Sequence, residues 1–410
     1  MLYNKIDSSL ILKFAITLYI PGFFVNLGFS IVSPILSDYA RSFSVPLSFA
    51  ALIVTANALG RLLADIPVGS LCDRIGRRPL AIAGPLLVAV SAILCGLAQN
   101  FYELLLYRAI GGVAMSMWMI ARQSMIADSI DSSIRGRIMS TFMSVNMIGS
   151  AAGPIIGGIV YDLWQDYRAP FFFYGASTFI SSIVCFLMVK ETTPPRKEEG
   201  IDQKSPQSKQ HIREIIKYLN FFTLIAAFSN FFNHIRFAAR GFLIPLFGYD
   251  VLFLSKSEVG LILSFSTILN IILAVPGGMI VDKFGRKVGI VSSFVVSALS
   301  YAFIPFSGDF VSFLLMVSLL GVAGGIGGGA TMALATDLAP SNLRGAFLGF
   351  WTTIGDLGSA LGPIIIGGLA DLYGLTGSFY GAATLLAFGA TTTQIFVKET
   401  LRKEEKKIQE

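Results

Sequence analysis

Charge is scarce in this chain. Of its 410 residues 14% are Asp, Glu, Lys or Arg, against roughly 25% in a soluble globular protein. A soluble chain of this length divides into two or three domains with polar faces, so a water-soluble enzyme is excluded. Cysteine is nearly missing: Cys72, Cys95 and Cys185 sit within or beside apolar runs, with neither metal-ligand spacing nor a disulfide framework, and read as packing residues. No Walker loop, metal-binding cluster or pair of carboxylates occurs, so ATP-driven pumping and hydrolysis have no supporting residues, and no catalytic or metal site is expected. Short alternating strands are also missing, which excludes a transmembrane β-barrel. Met1–Ser9 is short and polar, and the apolar run after it has full span length without a small-residue cleavage site, so no secretory signal is expected.

What is present is apolar. Hydrophobic residues make up 54% of the chain and the mean hydropathy is +0.70. A helix needs about 20 apolar residues to cross a hydrocarbon core of roughly 30 Å, and lipid leaves the helix as the spanning form for such segments. Twelve segments qualify: 10–37, 47–70, 79–98, 101–129, 136–163, 169–189, 218–247, 257–280, 288–307, 309–336, 344–371 and 376–397. Lys and Arg in the connections number 22 on the side bearing both termini and 3 on the other, Arg41, Arg168 and Lys256. Positive residues stay inside, so both termini are expected in the cytoplasm. The net charge of +6 is then a topology signal rather than a nucleic-acid footprint. The expected partners are a small-molecule solute and the lipid bilayer, with no nucleic acid, and the chain is expected to be a monomer in the plasma or inner membrane.

The sequence repeats at an offset of 209 residues. Gly69, Asp73, Gly76, Arg77 and Arg78 match Gly278, Asp282, Gly285, Arg286 and Lys287; Asp128 and Arg135 match Asp337 and Arg344; Gly149, Gly153 and Pro154 match Gly358, Gly362 and Pro363. Lys190-Glu-Thr and Lys398-Glu-Thr close the two halves at an offset of 208. Six spans per half is an even number, so both halves insert the same way and are related by an axis along the membrane normal. The expected organisation is a six-helix bundle over 1–189, a polar linker over 190–217, a second bundle over 218–397 and a tail over 398–410.

These features resemble the major facilitator superfamily over nearly the whole chain. The Gly-x-x-x-Asp-Arg-x-Gly-Arg-Arg loop at Gly69–Arg78 carries the resemblance most specifically, and its second copy strengthens it. Arg108 with Gly111-Gly112 looks like the superfamily's second motif. Gly149, Gly153, Pro154 and Gly157 look like the antiporter motif of 12-span drug:proton exporters, with Ser140 where that motif usually has a further glycine. The resemblance implies an all-α polytopic fold of two pseudo-symmetric bundles, in which spans 2, 5, 8 and 11 face the opposite half. It also implies that Arg77 pairs with Asp128, and Arg286 with Asp337, as a latch made when the cytoplasmic face is closed and broken when it opens. Arg77 can bond a carboxylate with a planar fork. The small residues of span 5, with Gly362 and Pro363 in span 11, would allow close, bendable packing at the rocking interface, or close packing alone.

Ionisable residues deep in the spans are the main functional clue, since each is costly unless paired or facing water. Asp356 lies 12 residues into span 11, about 18 Å along the helix. It is the candidate proton carrier, because a carboxyl in a low-dielectric setting can exchange a proton near neutral pH; the other reading is a structural ion pair with Arg61 across spans 2 and 11. Asp65, four residues after Arg61, reads as a local partner of that arginine. Arg108 would assist proton transfer by tuning a nearby carboxylate. Arg236 and Arg240 share a face of span 7 and either line the cavity or bracket the outer headgroup region; His234 reads as a packed polar residue more readily than a ligand. Asn26, Asn146, Asn233 and Asn270 complete the candidate cavity set. The leading expectation is a secondary transporter driven by an ion gradient, H+ in the first instance and with no cofactor, exporting amphiphilic drug-like compounds. The alternatives are uptake or exchange of a small organic anion, movement of a lipid-like solute, and, outside the class, a non-transporting membrane receptor.

Overall fold

In the computed structural model, residues 15–129, 132–192, 221–340 and 343–401 are described, and every regular element among them is a helix. The start of the expected first span, the linker from 193 onward, the tail from 402 and the side chains of Arg135 and Arg137 lie outside the described residues. In chain order α1 is Ile20–Ile31, α2 Leu47–Ile75, α3 Arg77–Leu97, α4 Phe101–Ser129, α5 Ser132–Trp164 and α6 Arg168–Met188. After the linker come α7 Phe221–Asp250, α8 Lys256–Phe284, α9 Arg286–Phe303 and α10 Phe310–Gly327, which continues as Ala330–Leu338. One long helix, Arg344–Phe396, breaks at Gly374 (φ +74°) into α11 (344–373) and α12 (375–396). Nine helices among the described residues are long and apolar enough to cross a membrane, counting Phe347–Phe396 as one. The apolar stretch of α1, Thr17–Ile31, is shorter, and α7 is diluted by Asn230, Asn233, His234, Arg236 and Arg240.

Packing follows the repeat. In the first bundle α2 lies on α4, α3 on α4 and α6, and α1 on α5 and α6; α8 on α10, α9 on α10 and α12, and α7 on the α11–α12 helix repeat this in the second. Between bundles α5 meets α8, and α2 meets α11. Each contact maps onto another when six is added to the helix number, which is the pseudo-twofold relation the even span count requires.

The tightest turns are conserved between the repeats for a backbone reason. Gly76 and Gly285 end α2 and α8 with φ of +97° and +115°, a region that L side chains rarely adopt. The chain there re-enters a helix at once, and the new amides are capped from a distance. Glu191 accepts from the N–H groups of Arg77 and Arg78, each at 3.0 Å, and Glu399 accepts from those of Arg286 and Lys287 at 2.9 and 3.1 Å. Carboxylates at helix N-termini are favourable. The Lys-Glu-Thr closing each half therefore staples the end of that half to the loop after its second helix.

Candidate functional site

Two faces of the molecule are distinguished by their loops: an arginine-rich face carrying Arg77, Arg78, Arg286 and Lys287, and the opposite face carrying Arg41, Arg168 and Lys256. On the opposite face the bundles are joined by a dense polar seam. Asp162, near the end of α5, accepts from the Lys256 and Ser257 N–H groups of α8 at 3.3 and 2.8 Å. Asp371, near the end of α11, accepts from the Leu47 and Ser48 N–H groups of α2 at 2.9 and 3.0 Å. All three pairs of positions are 209 apart, so each bundle caps a helix of the other in the same way. Lys256 pairs with Asp38, Arg41 with Asp250, and Tyr249 donates to the Pro34 carbonyl at 2.8 Å. Tyr167 donates to Asp38 at 2.5 Å; burial first, then that carboxylate, holds its phenol above the usual range.

Deeper in, the Ile155 N–H reaches Ser264 Oγ at 3.1 Å and Thr55 donates to the Ala360 carbonyl at 2.7 Å. Deeper still along α2, Arg61 pairs with Asp356 of α11, their side chains 26% and 18% exposed. This is the ion pair the sequence offered as one of two readings of Asp356. Asp65 does not serve Arg61: it accepts from Ser116 of α4. One turn along α2 the carboxylate meets a hydroxyl of its own bundle, which leaves the Arg61 fork for the carboxylate across the interface.

Between that seam and the arginine-rich face lies a cavity of about 850 Å³, a size suited to a drug-sized ligand. Ser30 and Ser33 from the α1 side, Met147 and Ser150 of α5, Arg240 of α7 and Asn270 of α8 contribute to its wall, which continues to Asp282 and Met332 at the arginine-rich end. Met147 and Asn270 stand 209 residues from Asp356 and Arg61. The α5–α8 interface thus lacks the ion pair of its twin and opens where the twin is tied.

Of the polar residues singled out in the sequence, Arg240 and Asn270 line this cavity. Arg240 Nη2 donates to the Leu263 carbonyl at 2.6 Å and to Thr267 Oγ1 at 2.9 Å. Arg236 is 2% exposed and is engaged by Ser293 Oγ (2.5 Å) and Asn233 Oδ1 (2.8 Å); it braces α7 against α9 inside the bundle instead of reaching cavity or headgroups. His234 shares a hydrogen bond with Ser359 at 2.9 Å, and Asn26 donates to Gly22 of its own helix at 2.9 Å. Asn146 is buried, its Oδ1 without a partner. Arg108, 3% exposed, lies over the Phe29 ring at 5.7 Å, and no carboxylate among the described residues pairs with it.

The loop pairs fall where the repeat places them. Arg77 Nε lies 3.0 Å from Asp128 and Arg286 Nε 3.3 Å from Asp337, with Asp73 and Asp282 second partners at 3.7 and 2.8 Å. Each pair joins residues of one bundle, and Asp282 also belongs to the cavity wall. Asp73 and Asp282 remain 76% and 73% exposed. A Cβ on Gly69 would meet open space.

The span 5 motif also serves a different contact from the one expected. Cβ atoms on Gly149, Gly153 and Gly157 would strike the backbone of Phe23, Leu27 and Ile31, so this stripe beds α5 on α1 within one bundle. Gly362 likewise faces Ile235 and Ala238 of α7. The opposite bundle is met by Gly158, against the Lys256 carbonyl, and by the Pro154 carbonyl, against Gly260. The sequence reading missed Asp162 and Asp371, whose shared offset was the signal that could have found them, and noted the repeat that holds Glu191 and Glu399 without reading their capping role.

The profile of the Major Facilitator Superfamily matches residues 18–255 and 230–410. An uncharacterized MFS-type transporter of Methanocaldococcus jannaschii is 26% identical over 90% of this chain and 94% of its own. The multidrug resistance protein MdtG of Enterobacter lignolyticus is 25% identical, covering 93% and 91%, and the quinolone resistance protein NorA of Staphylococcus aureus 24%, covering 87% and 89%. Among solved structures, a D-xylose-proton symporter superposes with a TM-score of 0.76 at 18% identity, covering 95% and 98%. A bacterial homologue of the lysosomal transporter Spinster, in an inward-facing and occupied conformation, gives 0.74 at 16%, covering 94% and 96%.

Proposed function

The chain belongs to the Major Facilitator Superfamily of membrane transporters, and from that premise we propose that it exports small amphiphilic compounds in exchange for protons by alternating access. It acts as a monomer in the plasma membrane, with the arginine-rich face and both termini in the cytoplasm. The kinship with multidrug resistance proteins and the apolar wall of the cavity support the substrate class; the 22-to-3 distribution of Lys and Arg supports the orientation.

The observation that carries the coupling is the Arg61–Asp356 pair. It is a partly buried charge pair between the bundles, at the depth where their contact ends. With Asp356 ionised, the pair ties α2 to α11 and holds an empty carrier open to the cytoplasm, which prevents return without cargo. When the outer side opens the pair is parted and Asp356 takes up a proton there in place of its lost partner; the proton leaves to the cytoplasm once the bundles re-open inward, and Arg61 receives the carboxylate again. Breaking such a pair on one side leaves an uncompensated charge, at a cost of about 3–5 kcal/mol when deeply buried and less at this exposure. One proton entering across 100 mV supplies about 2.3 kcal/mol. The exposed carboxylates Asp73 and Asp282, held in place by Arg77 and Arg286, are the groups free to meet the facing bundle when the cytoplasmic side closes.

In proteoliposomes with an imposed pH gradient, the wild type is expected to move 8-anilinonaphthalene-1-sulfonate uphill and to carry protons the other way. Asp356→Asn is expected to lose gradient dependence while keeping downhill exchange. Uphill transport retained by Asp356→Asn, or wild-type transport indifferent to the gradient, refutes the assignment.

A further inference from the structure

We propose that the solute held in the cavity carries a single acidic head, a carboxylate or sulfonate, and that this head sits on Arg240 while its apolar body lies against the cavity wall. The proposal rests on the reading of the cavity as the transport site, and it specifies the chemistry of what enters.

Arg240 is the only arginine among the residues lining the cavity. One nitrogen, Nη2, is anchored to the Leu263 carbonyl and Thr267 Oγ1 of α8 at 2.6 and 2.9 Å, which fixes the guanidinium plane against the wall. Among the described residues no carboxylate pairs with it, whereas Arg61, Arg77 and Arg286 each have one. The acid in the lining, Asp282, bonds Arg286. Asn270 follows Thr267 by one turn of α8 and also lines the cavity, adding an amide to its wall. Apart from Ser30, Ser33 and Ser150, the remaining wall is apolar and adaptable, with Met143, Met147, Phe237, Leu263, Ile326 and Met332 among its residues. Methionine walls accommodate bodies of varied shape.

The charge balance of the membrane interior agrees. Away from the helix ends the described spans hold five guanidiniums, Arg61, Arg108, Arg122, Arg236 and Arg240, against two carboxylates, Asp65 and Asp356. Asp356 is committed to Arg61 and Asp65 to Ser116. Arg108 and Arg122 lie on aromatic rings and Arg236 on serines, which leaves Arg240 as the positive group open to a ligand. Unpaired charge is expensive in this medium; an anionic head relieves the excess, and a cationic one adds to it. A charge-assisted, forked contact is also the interaction that a guanidinium makes best.

The test uses three probes with one aromatic body: 1-naphthylacetate, 1-naphthylacetamide and 1-naphthylmethylammonium, titrated calorimetrically into the full-length protein in nanodiscs without a pH gradient. The acetate is expected to bind about tenfold or more tightly than the amide, the range of a hydrogen bond to a charged group, and the ammonium most weakly. Arg240→Gln, which keeps donors for Leu263 and Thr267, is expected to bring the acetate to the amide's affinity without changing the amide, and Arg240→Lys to restore part of the preference. Equal binding of the three probes, binding by none, or a preference that survives Arg240→Gln overturns the proposal. Because no gradient is present, a carboxylate preference in a protein whose transport ignores pH would sink the proton coupling and leave this inference standing. Gradient-driven transport with no charge preference would do the reverse.

Discussion

Asp371→Asn removes a charge from the seam on the opposite face without changing side-chain shape. Asp371 places one oxygen on the Leu47 N–H and the other on the Ser48 N–H, at 2.9 and 3.0 Å, and so caps the first amides of α2 from the facing bundle. Asparagine keeps one acceptor and turns the other into a donor that faces an N–H. The loss comprises one charge-assisted hydrogen bond, about 1.5–3 kcal/mol, and the attraction of a full charge to the helix N-terminus, about 0.3–1 kcal/mol. The contact is solvent-exposed, so a net effect of about 1–2 kcal/mol is expected. Because this cap exists only while the opposite face is closed, the whole effect falls on the conformational equilibrium: the ratio of closed to open on that face should drop about 5- to 30-fold. Asp162→Asn should do the same at α8, and the double variant should sum the two free energies, the caps being on different helix pairs. The readout is the distance distribution between spin labels at Leu163 and Leu372, exposed positions on α5 and α11. Asp166→Asn is the control, since its carboxylate bonds Arg168 N–H in its own bundle. Populations unchanged in both single variants, or shifted equally by the control, would refute the reasoning.

Three further outcomes follow from the same contacts. Glu399→Gln and Glu191→Gln should each loosen the loop they cap by about 1 kcal/mol, seen as faster hydrogen exchange at Arg286–Lys287 or Arg77–Arg78 with the other loop unaffected; equal effects at both loops would contradict the local assignment. Gly157→Ala places a Cβ against the Ile31 carbonyl and should lower the melting temperature by several degrees through overpacking of α1 on α5, about 1–3 kcal/mol, whereas Gly69→Ala, open at that position, should not. A single cysteine at Gln165 should react with an impermeant maleimide in intact cells and one at Arg74 should not; the reverse pattern would invert the orientation.

The spans and the repeat were legible because each depends on position along the chain, and the pairing of Arg77 with Asp128 because the loop resembles that of the superfamily. Depth is one-dimensional: Asp356 and Arg61 could be placed near the midplane by counting residues. Direction around a helix is set by packing, and there the reading was open or wrong. Asp65 and Arg61 are four apart, yet one turns to Ser116 and the other across the interface. Arg236 and Arg240 share a face in projection, yet the first is locked among the serines of α9 and the second lines the cavity. The glycines of span 5 announced close packing without naming the neighbour, which is α1. Asp162 and Asp371 looked like ordinary acids at helix ends, because a cap supplied from the other bundle leaves no local pattern.

The repeat also shows where function departs from scaffold. Helix caps, loop ion pairs and closing carboxylates all occur twice, because the two bundles are mechanically equivalent. The chemistry does not occur twice. At the α2–α11 interface Arg61 and Asp356 make an ionic tie; at the α5–α8 interface their counterparts are Asn270 and Met147, an uncharged amide and a thioether that line the cavity. A tie on both sides would close the space a solute needs, and a cavity on both sides would leave the bundles without an ion pair between them at this depth. Exchanging the pair tests this division: Asn270→Arg with Met147→Asp should bridge α5 to α8, occlude the cavity and abolish binding of the naphthyl probes while leaving the protein folded. Undiminished probe binding by that double variant would show that cavity and tie are not alternatives at equivalent positions.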